Sequence, residues 1–165
     1  MPGLDPIVAP NARVLILGSF PGEQSLRAGR YYAHPQNAFW PIMEALFGVA
    51  VECEYAARVA MLQAAEVALW DVLQAVERAG SLDAKMVPGS EVVNDFNAFF
   101  AAHPAIRAVF CNGDKAAKLY RRFVQPALLN EIPMVCLPST SPANTRLSRE
   151  AKIEQWKVIK EVISV

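Results

Sequence analysis

Residues 13–48 read RVLILGSFPGEQSLRAGRYYAHPQNAFWPIMEALFG, and this stretch decides the fold. The apolar run at 14–17 is too short for a typical helix and is followed by Gly18, which predicts a buried strand of a parallel sheet. Asn37 is a residue type that caps helices and Gly48 is one that ends them, so a helix is predicted over 37–47. A strand, a loop and a helix in this order are typical of an α/β fold.

The loop between this strand and this helix is rich in aromatic and amide side chains, including Tyr31, Tyr32, Gln36 and Asn37. In an open α/β sheet, ligands bind outside the carboxyl ends of the strands. Aromatic faces and amide groups at that edge suit a flat ligand with polar edges. The loop therefore predicts a pocket for a nucleobase.

Strands and helices alternate along the rest of the chain. Helices are predicted over 54–64, 94–102, 114–123 and 148–163, strands over 107–111 and 134–137, a strand running into a helical turn over 67–73, and a loop over 81–90. This alternation predicts a three-layer α/β/α domain with a mostly parallel central sheet. We expect a single domain over 1–165, with 1–12 as a loose N-terminal arm.

Composition excludes several classes of protein. A hydrophobic content of 53% in 165 residues excludes a disordered chain and allows a real core. No apolar run approaches the length of a membrane span. The N-terminus lacks the basic start and apolar core of a signal peptide, so we expect a cytoplasmic protein.

The three cysteines, Cys53, Cys111 and Cys136, are scattered through the chain. An odd number of cysteines argues against a disulfide framework, and three cannot supply the four ligands of an iron–sulfur cluster. We therefore expect no metal and no other cofactor.

The formal net charge is zero, but the charges are unevenly distributed. Residues 1–114 carry 7 basic and 12 acidic side chains, whereas residues 115–165 carry 9 basic and 4 acidic ones. This asymmetry is compatible with a basic DNA-binding patch or with ordinary solvated helix faces. The candidate patch residues are Lys115, Lys118, Arg121, Arg122, Arg146, Arg149 and Lys152.

Three sequence blocks resemble one enzyme family. GSFPG at 18–22 resembles the first motif of the uracil-DNA glycosylase superfamily, and AHPQNAFW at 33–40 resembles its mismatch-specific branch. Together with PSTSPAN at 138–144, these motifs are most similar to those of the hypoxanthine-DNA glycosylase branch, also called DNA-deoxyinosine glycosylases. The matches at 14–48, 109–116 and 137–144 follow the family order.

The resemblance implies a monofunctional DNA glycosylase of base excision repair. Such an enzyme hydrolyses the N-glycosidic bond of a deaminated base, here expected to be hypoxanthine, after the base has been flipped out of DNA. The implied partner is damaged DNA, with no obligate protein partner evident. No lysine lies in a matching motif, so a Schiff-base lyase step is not expected.

The resemblance also suggests roles for residues of the pocket. Tyr32 matches the aromatic residue that stacks on the flipped base, and Phe20 is a candidate second wall. The backbone at Gly18, Ser19 and Phe20 is a candidate reader of the base edge. Asn37 matches the residue expected to orient the attacking water, although it also suits plain helix capping.

Asn112 and the segment around 138–144 complete the implied site. Asn112 matches a second asparagine of this branch, which suits contact with the base or a simple turn before Gly113. Ser139 is a candidate for substrate binding, and the 138–144 segment also suits a bare Ser/Pro turn. The residues expected at the DNA are Ser141, Pro142, Ala143, Asn144, Arg146 and Arg149.

Two positions depart from the family pattern. Many relatives carry Asn or Asp where this chain has Phe20, and His or Asn where it has Leu137. The departure at Phe20 argues against the ordinary uracil-removing mechanism, although a glycosylase for uracil or for G:T/U mismatches stays an alternative. Both departures keep open a non-catalytic nucleotide- or DNA-binding domain. His34 is expected to shape its loop, and neither Asp71 nor Asp114 is assigned a role.

Overall fold

The computed structural model describes residues 2–77 and 86–165. Four parallel strands form the central sheet in the order β2-β1-β5-β6. A separate antiparallel pair is formed by β3 and β4. The strands are β1 (Val14–Gly18), β2 (Val67–Asp71), β3 (Leu73–Ala75), β4 (Val92–Val93), β5 (Ala108–Asn112) and β6 (Met134–Leu137).

Helices connect these strands and cover both faces of the sheet. They are α1 (Glu23–Ala28), α2 (Phe39–Phe47), α3 (Tyr55–Ala64), α4 (Phe96–Ala102), α5 (Asp114–Leu119), α6 (Arg149–Trp156) and α7 (Val158–Ser164). After α5 the chain continues as a π-helical turn, Tyr120–Val124, and a 3-10 turn, Gln125–Ala127. Half of the predicted loop over 81–90, residues 81–85, lies outside the described residues.

β1 is the centre of the sheet, and all five of its residues are buried. Its side chains alternate between two cores, because successive residues of a strand point to opposite faces. Val14 and Ile16 belong to one core and Leu15 and Leu17 to the other. The two cores confirm the three-layer α/β architecture with a parallel sheet.

Each core is closed by a different set of helices. Phe39 of α2, Leu62 of α3 and Trp156 of α6 pack on the face that carries Ile16. Phe99 of α4 and Ala117 of α5 pack on the face that carries Leu17. The sheet is therefore covered on both sides and can open to a ligand only at its edges or ends.

The predicted helical turn after residue 71 is wrong. Val72 N–H donates to the Gly18 carbonyl at 2.8 Å, and Leu73 N–H donates to the Ser19 carbonyl at 3.0 Å. These bonds hold the chain extended beside β1, and it passes directly into β3. The β3–β4 pair was not predicted, and neither was the six-residue helix α1.

The predicted C-terminal helix over 148–163 is divided into α6 and α7. Lys160 N–H donates to the Lys157 carbonyl, three residues back, at 3.0 Å, which tightens the chain at the junction. Gly48 ends α2, as predicted, and its φ is 71°. α2 itself begins at Phe39 rather than at residue 37.

The N-terminal arm is attached to the sheet in its described part. Ile7 and Leu69 exchange two backbone hydrogen bonds of 2.8 Å, and Gly3 N–H donates to the Gln74 carbonyl at 2.7 Å. The side chain of Ile7 is buried in the core. The expectation of a loose arm is therefore wrong.

Within the described part of the chain, no helix is long and apolar enough to cross a membrane. Cys111 is buried, Cys53 and Cys136 are half-buried, and all three are free thiols.

Candidate active site

The carboxyl ends of the four parallel strands border a pocket of about 740 Å³. This volume lies in the range of small-molecule and cofactor sites. Nine of the predicted site residues line it: Gly18, Ser19, Phe20, Tyr32, Asn37, Asn112, Ser139, Ser141 and Pro142. The structure thus brings together residues that are up to 124 positions apart in the sequence.

A second, smaller cleft of about 310 Å³ lies beside α4 and the loop before β6. Its lining includes Phe100, Ile106 and Leu129, and none of the described residues that line it is ionisable. None of the predicted site residues lies there. The chemistry of the chain is therefore concentrated in the larger pocket.

Tyr32 forms an aromatic wall of the pocket. Its ring stacks on Phe39 with 4.2 Å between the centroids and 20° between the planes, so only the other face is left for a ligand. Its φ of 54° is unusual for a residue with a side chain. Strained backbone of this kind is concentrated at functional sites. Burial, with a smaller contribution from the charge of Asp71, raises the pKa of the Tyr32 phenol well above its usual value.

Asn37 lies at the pocket beside the start of α2. Its Oδ1 accepts a hydrogen bond from Phe39 N–H at 2.9 Å, so the side chain does satisfy one of the free amides at the helix start. The backbone is fixed by two further bonds, from Asn37 N–H to the His34 carbonyl and from Ala38 N–H to the Thr140 carbonyl, both at 3.0 Å. Among the described residues, nothing accepts a hydrogen bond from its Nδ2.

Asn112 is almost fully occupied by contacts within the protein. Its Nδ2 donates to the Tyr32 hydroxyl and to Thr140 Oγ1, both at 3.0 Å. Its Oδ1 accepts from Thr140 N–H at 3.0 Å. Both amide hydrogens are therefore committed, and these bonds favour a role in holding Tyr32 and the loop after β6.

The loop after β6 is closed by its own serines. Ser139 Oγ accepts from Ser141 N–H at 3.1 Å, and Ser141 Oγ accepts from Ala143 N–H at 3.2 Å. Each hydroxyl still has its own proton to donate. A Cβ on Gly113 would lie 3.0 Å from Ser139 Cβ, and Gly113 has a φ of 94°, so glycine is required there.

The remaining predicted DNA contacts lie outside the pocket. Ala143, Arg146 and Arg149 are exposed, and Asn144 is half-buried, with Nδ2 donating to the Ser139 carbonyl at 3.0 Å. Lys152 was predicted to belong to the candidate basic patch, and this prediction is wrong. It is buried, and its Nζ donates to the Asn144 carbonyl at 2.9 Å. Burial, followed by the charge of Arg149, lowers its pKa, so Lys152 supports the loop rather than binding phosphate.

Leu137 lies in the core, whereas His34 is an exposed residue that lines the pocket. Leu137 is packed in the core with Phe110 and Trp156. His34 is exposed, and its Nδ1 accepts from Gln36 N–H at 3.1 Å, which shapes the loop.

Asp71 is the pocket residue that sequence reasoning missed. It ends β2 opposite Gly18, and only 6% of its surface is exposed. Burial raises the pKa of its carboxyl to about 7. The available signal was one acid within an apolar run, VALWDVL at 67–73, at the end of a strand beside β1.

A parallel α/β sheet with an aromatic and amide pocket at its strand ends defines an α/β protein with a site suited to a flat ligand with polar edges. The sequence matches the Uracil DNA glycosylase superfamily over residues 6–162. The chain belongs to this superfamily.

Named relatives and a solved structure are similar to the chain over most of their length. The chain is 33% identical to a hypoxanthine DNA glycosylase of Methanosarcina acetivorans over 95% of this chain and 96% of the relative. It is 34% identical to a hypoxanthine DNA glycosylase of Methanosarcina barkeri over 70% of this chain and 73% of the relative. A solution NMR structure from Methanosarcina acetivorans, of a protein classed as a candidate uracil DNA glycosylase, superposes with a TM-score of 0.82 at 29% identity, covering 99% and 98% of the two chains.

Proposed function

We propose that this chain is a DNA glycosylase that hydrolyses the N-glycosidic bond of deaminated bases in DNA, hypoxanthine foremost. The observation that carries the proposal is the pocket of about 740 Å³, in which an aromatic wall and amide groups meet at the strand ends. The similarity to two proteins named hypoxanthine DNA glycosylases supports this substrate. The partner is a duplex containing the damaged nucleotide.

The flipped base stacks on the free face of Tyr32. Phe39, which is fully buried, supports the opposite face of this ring. The hydrogen bond from Asn112 to the Tyr32 hydroxyl fixes the ring in its plane. Phe20 supplies a second apolar wall. The stacking site for the base is thus formed before DNA binds, which limits the entropy lost on binding.

Asn37 orients the water that attacks the sugar. Cleavage passes through an oxocarbenium-like sugar, so a positioned water and stabilisation of positive charge matter more than a strong nucleophile. Asn37 Oδ1 already accepts from Phe39 N–H and has a second lone pair for a water proton. Helix capping and water binding therefore coexist in one side chain.

The loop after β6 and the exposed arginines bind the DNA backbone. Ser139 and Ser141 retain hydroxyl protons for phosphate oxygens, and Pro142 lies beside them at the pocket. Arg146 and Arg149 are exposed on the same segment of the chain. We expect these few phosphate contacts to weaken as salt rises.

Duplexes that contain one deoxyinosine or one deoxyuridine test the proposal. The enzyme is incubated with each duplex, and abasic sites are then cleaved with alkali. We expect product mainly from the deoxyinosine duplex, and no strand cleavage before alkali is added. Product mainly from the deoxyuridine duplex would overturn the substrate, and binding without product from either duplex would overturn the enzyme. Cleavage without alkali, with borohydride trapping of the protein on DNA, would overturn the monofunctional mechanism.

A further inference from the structure

Two arginines and two aromatic rings form a cluster beside the loop that carries Tyr32. The guanidinium carbon of Arg58 lies 4.8 Å from the centroid of the Trp40 ring and 5.4 Å from that of the Tyr55 ring. The guanidinium carbon of Arg30 lies 5.5 Å from the same Tyr55 centroid. Stacking on a ring fixes the orientation of a guanidinium group and leaves the N–H groups at its edge available for a ligand.

Neither arginine has an anionic partner in the described part of the chain. The ion pairs found there include neither Arg30 nor Arg58. Arg58 is half-buried, and its Nε is buried without a hydrogen-bond partner among the described residues. Burial, with a smaller contribution from the charge of Arg30, lowers the pKa of the Arg58 guanidinium. Two neighbouring cations without a counter-charge are costly, and a bound anion would remove that cost.

Other arginines in the same half of the chain behave differently. Over residues 2–77 and 86–114, the arginines besides Arg30 and Arg58 bond to oxygen atoms of the protein; they are Arg13, Arg27 and Arg107. Residues 1–114 carry 12 acidic side chains against 7 basic ones, so carboxylates are abundant there. The open N–H groups of Arg30 and Arg58 therefore indicate an anion that comes from outside the protein.

The backbone of Tyr31 joins this cluster to the pocket. Tyr31 N–H donates to the Tyr55 hydroxyl at 3.0 Å, and Trp40 Nε1 donates to the Tyr31 carbonyl at 2.9 Å. Tyr31 and Tyr32 both line the pocket, and Arg30, which is exposed, comes directly before them in the chain. A nucleotide flipped into the pocket leaves its phosphates at the rim, because only its base enters. Arg30 is placed where such phosphates pass.

The helix α3 begins at this cluster and favours an anion as well. Tyr55 and Arg58 lie in its first turn, and the side chain of the preceding Glu54 makes no capping hydrogen bond. The positive end of the helix adds to the field of the two guanidinium groups. Guanidinium groups match phosphate oxygens in pairs of parallel hydrogen bonds. A phosphodiester is therefore the anion that this cluster suits.

We infer that Arg30 and Arg58 form a phosphate-binding site for the DNA strand next to the flipped nucleotide. This inference rests on the proposed function, since the phosphates belong to the DNA whose base enters the pocket. The site is distinct from the loop after β6 and its arginines, so the DNA backbone is held at two separate places. Neither Arg30 nor Arg58 belongs to the basic patch predicted from the sequence.

Neutral linkages in the DNA test the inference directly. A set of duplexes carries one deoxyinosine, and each duplex has a single methylphosphonate, which removes the charge of one phosphate near the deoxyinosine. A 2′-fluorine on the sugar slows cleavage, so fluorescence anisotropy measures binding apart from the reaction. We expect at least one neutral linkage to weaken wild-type binding by about threefold or more. The same linkage should have little effect on the double variant Arg30→Gln/Arg58→Gln, because its partner is already absent.

Single variants and a matched control provide the second measurement. Arg30→Gln and Arg58→Gln should each weaken binding a few-fold and lower the slope of log affinity against log salt by about 1. Arg27→Gln is the control, because it makes the same charge change at an exposed arginine that is paired with Glu23. Arg58→Lys retains the charge without the planar fork and should recover only part of the affinity. Because Arg30 is exposed, Arg30→Gln keeps the test valid even where Arg58→Gln lowers stability.

Equal losses of affinity in Arg27→Gln and Arg30→Gln would overturn the inference, because net charge alone would then explain them. Neutral linkages that weaken the double variant as much as the wild type would overturn it as well. If the wild-type protein cleaves neither deoxyinosine nor deoxyuridine, the proposed function fails. If it cleaves deoxyinosine while the double variant retains the wild-type affinity and salt slope, only this inference fails.

Discussion

Asn112, on the wall formed by β5 and β6, has both amide hydrogens bonded to neighbours, whereas Asp71, on the wall formed by β1 and β2, has a buried oxygen without a partner among the described residues. The first wall is complete before any ligand enters, and its bonds hold Tyr32 and Thr140 in place. The second wall keeps a buried acceptor without a donor. The contrast teaches that internal hydrogen bonds fix one side of the pocket, whereas the other side leaves an acceptor open.

The strongest way to sharpen this contrast is to remove the charge of Asp71. Its pKa is about 7 in the folded protein against 3.8 for a free carboxyl, so folding takes up a proton between these pH values. The stability of the wild type therefore falls as pH rises from about 4 to about 7 and stays low above that. Asp71→Asn should be more stable than the wild type at about pH 8, by at most about 4 kcal/mol.

Denaturant titrations of both proteins at about pH 5 and about pH 8 measure this difference, which should shrink at the lower pH. Equal stabilities at both pH values would show that the carboxyl is solvated or paired. The other ionisable groups at the pocket are present in both proteins and cancel in the comparison; they are Glu23, Tyr31, Tyr32, His34, Asp114 and Lys115.

Asn112→Ala should act in the opposite direction. It removes three hydrogen bonds and leaves Thr140 N–H and the Tyr32 hydroxyl without partners in a buried place. We expect a loss of about 3 kcal/mol, because each orphaned buried group costs about 1–3 kcal/mol. Chemical denaturation measures it, with Asn97→Ala as a control, since Asn97 is a half-buried asparagine whose side chain bonds to the backbone of Ala127 and Leu129. A loss of stability no larger than that of the control would contradict the view that Asn112 holds Tyr32 and Thr140 in place before a ligand binds.

Asn37→Ala tests whether water binding matters beyond helix capping. We expect the single-turnover rate on deoxyinosine to fall at least tenfold, or about 1.4 kcal/mol, while affinity for the duplex stays near the wild-type value. Asn37→Asp is the matched control for the cap, because a carboxylate still accepts from Phe39 N–H. An unchanged rate in Asn37→Ala would reduce Asn37 to a capping residue.

The smallest expected effect lies outside the pocket. Arg146→Gln should weaken DNA binding a few-fold and lower the slope of log affinity against log salt by about 1. Lys160→Gln makes the same charge change on α7, whose last turn is bonded to Arg13 next to the start of β1, at the opposite end of the sheet. Equal effects of the two variants would mean that Arg146 acts only through net charge.

Local patterns in the sequence were sufficient for the framework of the fold. The apolar runs of β1 and β6 and the glycine after α2 each specify an element through short-range chemistry, and these elements form as predicted. The continuation of β2 into β3 depends on hydrogen bonds to Gly18 and Ser19, more than fifty residues away. No periodicity within 67–73 encodes such a partner.

The candidate site, like the fold, could be predicted only in part from local sequence patterns. Nine residues of the pocket lie in motifs that stand out in the sequence, so they were predicted together. Asp71 lies in an apolar run, and its importance comes from burial against Gly18 and Tyr32, which only the folded chain produces. Lys152 is the converse case, because a lysine on a polar helix gives no sign that it will be buried under Asn144.

The pairing of Ile7 with Leu69 has a consequence for how the protein behaves in concentrated solution. Without it, β2 would present a bare strand edge, and bare edges recruit strands of other molecules. Ile7 pairs with that edge in an antiparallel bridge, so we expect the N-terminal residues to hinder the pairing of another strand there. Deleting residues 1–12, or fusing a bulky tag that pulls them away, should convert a dispersed protein into one that aggregates.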